Sequence, residues 1–423
     1  MQTSIRLLGQ RRFLPLFITQ FLNAFNDSIF KMAVVVLATY TIYNDPKVEA
    51  FFSQMVGGLF ILPFFLLSAI AGQLADSHDK TAMARIIKTA EIFIMFAGGL
   101  GIWLQNIPLM LFGVFAMGVH STFFGPIKYA ILPQHLDKDH VLGGTGLVEA
   151  GTYVAILLGT VIGGWIHPHW AIVAVVSVAI CGRISAQFMP PAPSAPETRP
   201  ERVDWNIFRA SWVLVRDTLH IPRLYLAIIA ISFFWAIGTV FAAQFPPMVK
   251  NALGADQTVA TGFTALFSIG VALGSIAVNR LLDGKVSARY SPVSVIVMGL
   301  FVLDLWWGVT HWTHKGPELM DWQQFLAPVE GKRIVCDLLG ISLAGGMFVV
   351  PLYAFLTTTV DKSETARTIA ANNIVNSAFM VAAAGILAGL TAVGVTVEDT
   401  LLSVAASCLV SAWIAQQLHK ACD

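Results

Sequence analysis

Apolar runs of about 20 residues, the length a helix needs to cross the hydrocarbon core of a bilayer, recur along this chain from Phe13 onward, separated by charged or Pro/Gly-rich breaks. Of its 423 residues, 56% are hydrophobic and 12% charged. A soluble domain carries about 25% charged residues, so the chain lacks the polar surface that water would demand, and lipid is the solvent for most of it. In hydrocarbon every backbone N–H and C=O must be satisfied internally, which leaves helices or a closed barrel. Barrel strands run about 10 residues with alternating polarity. The runs here are longer and continuously apolar, so the expected fold class is an all-α membrane protein.

The runs number about twelve: 13–43, 51–75, 84–104, 108–129, 144–166, 170–189, 223–248, 258–282, 290–312, 333–356, 368–393 and 400–418. The basic stretch Met1 to Arg12 leads into a run too long for a signal-peptide core, so an uncleaved first helix is expected. Lys and Arg set the orientation. With the N-terminus in the cytoplasm, Arg6, Arg11, Arg12, Lys80, Arg85, Lys88, Lys128, Lys138, Arg183 and many more fall inside, against Lys47, Lys250, Lys315, Lys332 and Arg333 outside. Both termini are therefore expected to be cytoplasmic. The net charge of +1 gives no bias toward nucleic acid.

The longest polar stretch, 190–222, divides the chain into a six-helix half at 1–189, a linker, and a second half at 223–423. The linker opens with Pro190, Pro191, Pro193 and Pro196; Asp204 then has the character of a helix N-cap. Trp205, Phe208, Trp212, Val215 and Leu219 follow at steps of three and four, with Arg202, Arg209 and Arg216 on the wetter side. The pattern predicts a helix lying on the cytoplasmic leaflet or packed on protein. The halves also resemble each other. PIKYAILPQHLDKDHVLGGTGLVEAGTYVAILLGTVIGG at 126–164 and PLYAFLTTTVDKSETARTIAANNIVNSAFMVAAAGILAGL at 351–390 share Pro, Tyr-Ala, an Asp-Lys loop and a Gly/Ala-rich span.

Ionisable groups within spans cost several kcal/mol and usually face the interior or a watery cavity. The first span carries Asn23, Asn26, Asp27 and Lys31; Asp27 and Lys31, four apart, share a helical face and can pair. The pair is open to two readings, a substrate or coupling role and a structural ion pair. Glu149 lies inside the Gly-rich fifth span with no neighbouring cation in sequence, so it takes a proton or finds a partner. Asn372, Asn373 and Asn376 lie on the eleventh span, where amides also serve as glue between helices; by the repeat, Asn373 and Asn376 fall opposite Gly146 and Glu149. Glu91, Asp304 and Asp337 lie nearer predicted ends, and His120 on an apolar face has the character of a core histidine. Phe21, Phe25, Phe30, Phe123 and Phe124 suit an acyl chain and a plain core equally well. No GxxxxGK[ST] loop, acyltransferase motif or metal-ligand spacing is present, and the four cysteines form no CxxC pair. No enzymatic activity, cofactor or metal is expected.

The segment GQLADSHDKTAMAR at 72–85 resembles the signature loop of the major facilitator superfamily, with His78-Asp79 in place of a more basic stretch. The resemblance implies the major facilitator fold, twelve helices in two six-helix halves, and makes Gly72, Asp76, Lys80 and Arg85 gating candidates. FLNAFNDSIFK at 21–31, AGQLADS at 71–77, GPIKYAILP at 125–133 and GLVEAGTYVAILLGTVIGG at 146–164 together resemble the bacterial lysophospholipid transporters, including the transporter half of fusions with an acyl-glycerophosphoethanolamine acyltransferase. The resemblance implies alternating-access movement of lysophosphatidylethanolamine-type lipids across the inner membrane, by a monomer among membrane lipids, with a separate acyltransferase as candidate partner. It places Asp27, Lys128 and Glu149 at equivalent positions. The candidates for substrate binding or coupling are thus Asn23, Asn26, Asp27, Lys31, Lys128, Glu149, Asn373 and Asn376. The alternative is a proton-coupled exporter of drugs or organic solutes on the same fold.

Overall fold

A computed structural model describes residues 6–43, 46–194, 203–314, 316, 318–361 and 364–422. Of the residues singled out above, Met1, Pro196, Arg202 and Lys315 lie outside them. The first six long helices are α1 Leu14–Leu37, α2 Pro46–Ser77, α3 Lys80–Trp103, α4 Ile107–His135, α5 Lys138–Trp165 and α6 Pro168–Gln187. A shorter α7, Ile207–Leu219, precedes α8 Pro222–Pro247, α9 Gln257–Leu281 and α10 Ser291–Thr310. The chain closes with the one-turn α11 Trp322–Leu326, then α12 Val329–Thr358, α13 Thr365–Ala392 and α14 Thr400–Cys422.

Among the described residues, eleven helices are long and apolar enough to cross a membrane. They are all of these except α1, α7 and α11. At 24 residues α1 has the same length, but Gln20, Asn23, Asn26, Asp27 and Lys31 dilute its hydropathy. The chain is a multi-pass, all-helical membrane protein.

Local chemistry sets the ends. Asp79 caps α3 by accepting from the backbone N–H of Ala82 at 2.7 Å, and Asn106 caps α4 through Leu109 at 3.0 Å. The surface helix α7 is capped by Asn206, which accepts from Arg209 N at 3.0 Å. This corrects the expectation for Asp204. That carboxylate instead takes the Arg209 guanidinium at 2.8 and 2.9 Å and the Asn206 backbone N–H at 3.0 Å. Those bonds, Arg209's first, hold its carboxyl below the usual carboxylate range. The expected stripe on α7 also divides. Trp205, Phe208 and Trp212 stand exposed, while Leu214 and Val215 pack on a small cluster of Ala69, Ala210 and Ile374.

The residues fall into two compact units, Met1–His220 with Leu356–Ser377, and Ile221–Phe355 with Ala378–Asp423. In the first, α1 lies against α5 and α6, α2 against α4 and α7, and α3 against α4 and α6. The α1–α5 approach depends on missing side chains. A Cβ at Gly159 would lie 2.5 Å from the Phe25 carbonyl oxygen, and one at Gly163 2.7 Å from that of Ile29. Backbones this close are what small residues permit in membrane helices. Beside this seam Phe30, Val34, Met95, Val114, Met117 and Val175 form a dry core. In the second unit α10 packs on α14 and α14 on α8.

Candidate functional site

The polar residues of α1 point into the first unit rather than to lipid. Asn23, Asn26 and Asp27 are all buried. Asp27 Oδ2 accepts from Ser121 Oγ of α4 at 2.7 Å and from Asn23 Nδ2 at 3.3 Å, and Asn23 Nδ2 also reaches Ser121 Oγ at 3.2 Å. Its other oxygen, Oδ1, is buried with no hydrogen-bond donor among the described residues. The expected Asp27–Lys31 ion pair is not among those the described residues form. Lys31 Nζ sits instead 3.9 Å from the centroid of the Phe60 ring, where the aromatic face offers the ammonium a cation–π partner.

One turn away lies a second group that the sequence did not assemble. Asn26 Nδ2 donates to Glu91 Oε1 at 2.7 Å, Glu91 Oε2 is ion-paired with Lys88, and His120 Nε2 lies 3.5 Å from the same oxygen. Lys88 Nζ also donates to Asn23 Oδ1 at 3.4 Å. All of these side chains are buried. This corrects three expectations. Lys88, counted above among the inside charges near the start of the span 84–104, lies two turns into α3, which begins at Lys80, and is buried. Glu91 is no helix-end residue, and His120 faces a carboxylate as well as apolar neighbours. The signal available in the sequence was Lys88 and Glu91 at a helical i,i+3 spacing.

Glu149, buried on α5, finds its partner on α4, where Tyr129 OH donates to its Oε1. Lys128 precedes that tyrosine, its Nζ 4.8 Å from the Tyr129 ring centroid, and is the cation acting on Glu149. The expected end of the fourth span at 129 moves to His135, so Lys128 lies within the helix and not at its mouth. Pro126 contributes by lacking the N–H that would bond the Thr122 carbonyl, loosening α4 just before these two residues. Gln20 Oε1 accepts from Thr152 Oγ1 at 2.9 Å, tying α1 to α5 beside the same region.

The asparagines of α13 lie in the part of that helix assigned to the first unit. Asn372 is fully buried, and neither of its amide atoms has a hydrogen-bond partner among the described residues; Asn376 is buried. Asn373 Nδ2 faces Gly125 of α4, 3.4 Å from where a Cβ would stand.

The gating candidates also have definite neighbours. Asp76 is fully buried, and its Oδ2 accepts from Arg367 N at 3.2 Å and Arg367 Nε at 3.0 Å. Gly72 allows the contact, since a Cβ there would lie 2.7 Å from Ala370 Cβ. Lys80 is fully buried and its backbone N–H bonds the Ala192 carbonyl. Arg85 does different work, donating to the carbonyls of Ala186, Gln187 and Met189 and so fastening the chain beyond α6. An apolar cavity of about 240 Å³ opens nearby, lined by Leu74, His78, Met83, Ile86, Ile87 and Phe123.

The family model of the Major Facilitator Superfamily matches residues 16–385. The chain is 28% identical over 390 residues to the Lysophospholipid transporter LplT of Salmonella newport (strain SL254), covering 90% of this chain and 88% of that one. The same figures hold for Lysophospholipid transporter LplT of Salmonella typhimurium (strain LT2). Among solved structures it resembles the human organic anion transporter MFSD10 (TETRAN), with a TM-score of 0.78, 10% identity, and 96% and 99% of the two chains covered. It also resembles the transporter FucP in its outward conformation, with a TM-score of 0.70, 10% identity, and coverage of 96% and 98%. The relatives so named are transporters.

Proposed function

Because this chain belongs to the Major Facilitator Superfamily, we propose that it moves lysophospholipids, chiefly of the lysophosphatidylethanolamine type, across the bacterial inner membrane by alternating access, with both termini in the cytoplasm. The observation that carries the reading is Asp27, a buried carboxylate held by two donors on one oxygen and open on the other, in a chain similar to lysophospholipid transporters. A zwitterionic headgroup brings an ammonium and a phosphate. The open oxygen of Asp27 and the carboxylate of Glu149 suit the ammonium, and Lys31 and Lys128 suit the phosphate. A phenylalanine row along α1 supports a path for the acyl chain. Phe13, Phe17, Phe21 and Phe25 follow one another at centroid distances of 6.0, 6.3 and 6.2 Å. On this reading the Asp76–Arg367 contact is a gate that opens and recloses with each transport cycle.

The test is uptake of labelled lysophosphatidylethanolamine by proteoliposomes, beside efflux of lipophilic cations. Uptake that disappears in Asp27→Asn at equal protein level is the expected result. Cation efflux without lysolipid uptake would make the chain an exporter of organic solutes and sink the proposal.

A further inference from the structure

Lys88 and Glu91 have no part in the reading above, yet they form an ion pair with both side chains fully buried in the first unit. We propose that Glu91 is a positioning residue that holds Lys88 off Asp27, keeping Asp27 available to a cationic headgroup. The inference rests on the headgroup reading and adds to it a specificity-determining pair.

One amide separates the cation from the carboxylate. Lys88 Nζ donates to Asn23 Oδ1 at 3.4 Å, and Asn23 Nδ2 donates to Asp27 Oδ2 at 3.3 Å. An ammonium has only donors. Lys88 therefore fixes which end of the Asn23 amide faces it and which end faces Asp27. Lys88 and Glu91 form an ion pair, so Lys88 is engaged by Glu91 and reaches Asp27 only through the Asn23 amide.

Glu91 is itself held from three helices, by Asn26 of α1 at 2.7 Å, by Lys88 of α3, and beside His120 of α4. The lysine stem has been given its place by α6, where a Cβ on Gly182 would lie 2.8 Å from Lys88 Cε and 3.1 Å from Nζ. A buried cation deprived of its anion is strongly destabilising and seeks another, and the lysine stem is flexible enough to reach one. With Glu91 neutral, Asp27 is the carboxylate already joined to Lys88 through Asn23. An Asp27 paired with Lys88 has no charge left for a substrate ammonium.

The experiment compares wild type, Glu91→Gln, Lys88→Met/Glu91→Gln and Asp27→Asn in proteoliposomes. Initial uptake is measured against concentration for lysophosphatidylethanolamine and for lysophosphatidylglycerol, which lacks the amine. In Glu91→Gln we expect KM for the amine lipid to rise at least about tenfold with little change in maximal rate, since ground-state binding is what is lost. The lipid without the amine should change less than about threefold. The double variant removes both charges, leaves no buried ion unpaired, and should return KM to within about threefold of wild type. Wild-type KM in Glu91→Gln, equal loss for both lipids, or no recovery in the double variant would each overturn the proposal. If Glu91→Gln does not accumulate, the double variant decides alone, with headgroup-selective uptake supporting the inference and its loss refuting it. Wild-type uptake and its loss in Asp27→Asn test the headgroup reading separately, so the two failures are distinguishable.

Discussion

In the interior of the first unit Asp27, Lys88, Glu91, His120 and Glu149 meet serine, tyrosine and asparagine side chains across α1, α3, α4 and α5. The interior of the second is built from rings. Phe241, Phe245, Phe263 and Phe325 follow one another at 5.4, 5.8 and 5.7 Å, and Trp312 stacks on Phe325 at 5.2 Å. Its interhelical polar contacts include neutral ones such as Trp235 Nε1 to Tyr353 OH at 2.8 Å and Gln244 Nε2 to Thr400 Oγ1 at 3.2 Å. Its Asp304–Arg333 ion pair is partly exposed, and among its described Asp, Glu, Lys, Arg and His residues Asp337 is the buried one. The two units thus differ in what they bury. In a membrane, ionisable groups within spans are costly, and the proposal above places the headgroup chemistry in the first unit.

The comparison can be broken at the helix seams, where the largest effect is expected. Gly159→Ala would drive a methyl to 2.5 Å from a backbone oxygen that cannot move aside, whereas a Cβ at Gly238 of α8 meets nothing within 4 Å. Overpacking costs about 1–3 kcal/mol. Gly159→Ala should lower the detergent melting temperature and reduce uptake through lost protein, and Gly238→Ala should leave both near wild type. Equal melting temperatures would show that the α1–α5 seam is not tight.

A smaller and more selective effect is expected at Glu149. Glu149→Gln keeps shape and the Tyr129 contact but removes the charge. It should slow uptake of lysophosphatidylethanolamine about tenfold, near 1.4 kcal/mol, while a lysolipid without the amine is slowed less. Equal slowing of both lipids would take Glu149 out of headgroup recognition. In the second unit Trp235→Phe deletes one neutral hydrogen bond, worth about 0.5–1.5 kcal/mol, and should lower stability slightly without altering headgroup preference. A changed preference would extend the site into the second unit.

The smallest effect on uptake is expected at the surface of the first unit. Replacing Trp205, Phe208 and Trp212 with Ser should leave transport close to wild type. In the parent protein the two tryptophans, exposed at 68% and 70%, should be quenched by lipid-borne quenchers. Absence of quenching would mean that α7 meets water or protein and not the leaflet.

The spans were legible because apolar runs are a one-dimensional signal, and even α1, too polar to stand among the eleven apolar spans, was visible from its length. Asp27 and Glu149 were legible because a carboxylate in such a run is conspicuous. Their partners were not. Ser121 is 94 residues from Asp27 and Tyr129 is 20 from Glu149, so the pairings exist only once helices pack. Lys88, Glu91 and His120 escaped because a lysine near a predicted helix end has the pattern of a solvated residue, and a few residues' error in that end decides between loop and interior. The α7 cap was missed for a local reason. Asp204 and Asn206 are both capping types two residues apart, and the choice depends on which side chain meets the Arg209 N–H.

The most direct test of the account places one neutralised carboxylate in each interior. Initial uptake of lysophosphatidylethanolamine is measured in proteoliposomes for Asp27→Asn and Asp337→Asn at matched protein levels. The account predicts that Asp27→Asn abolishes uptake and that Asp337→Asn retains most of it. Retained uptake in Asp27→Asn, or loss confined to Asp337→Asn, would contradict the assignment of headgroup chemistry to the first unit.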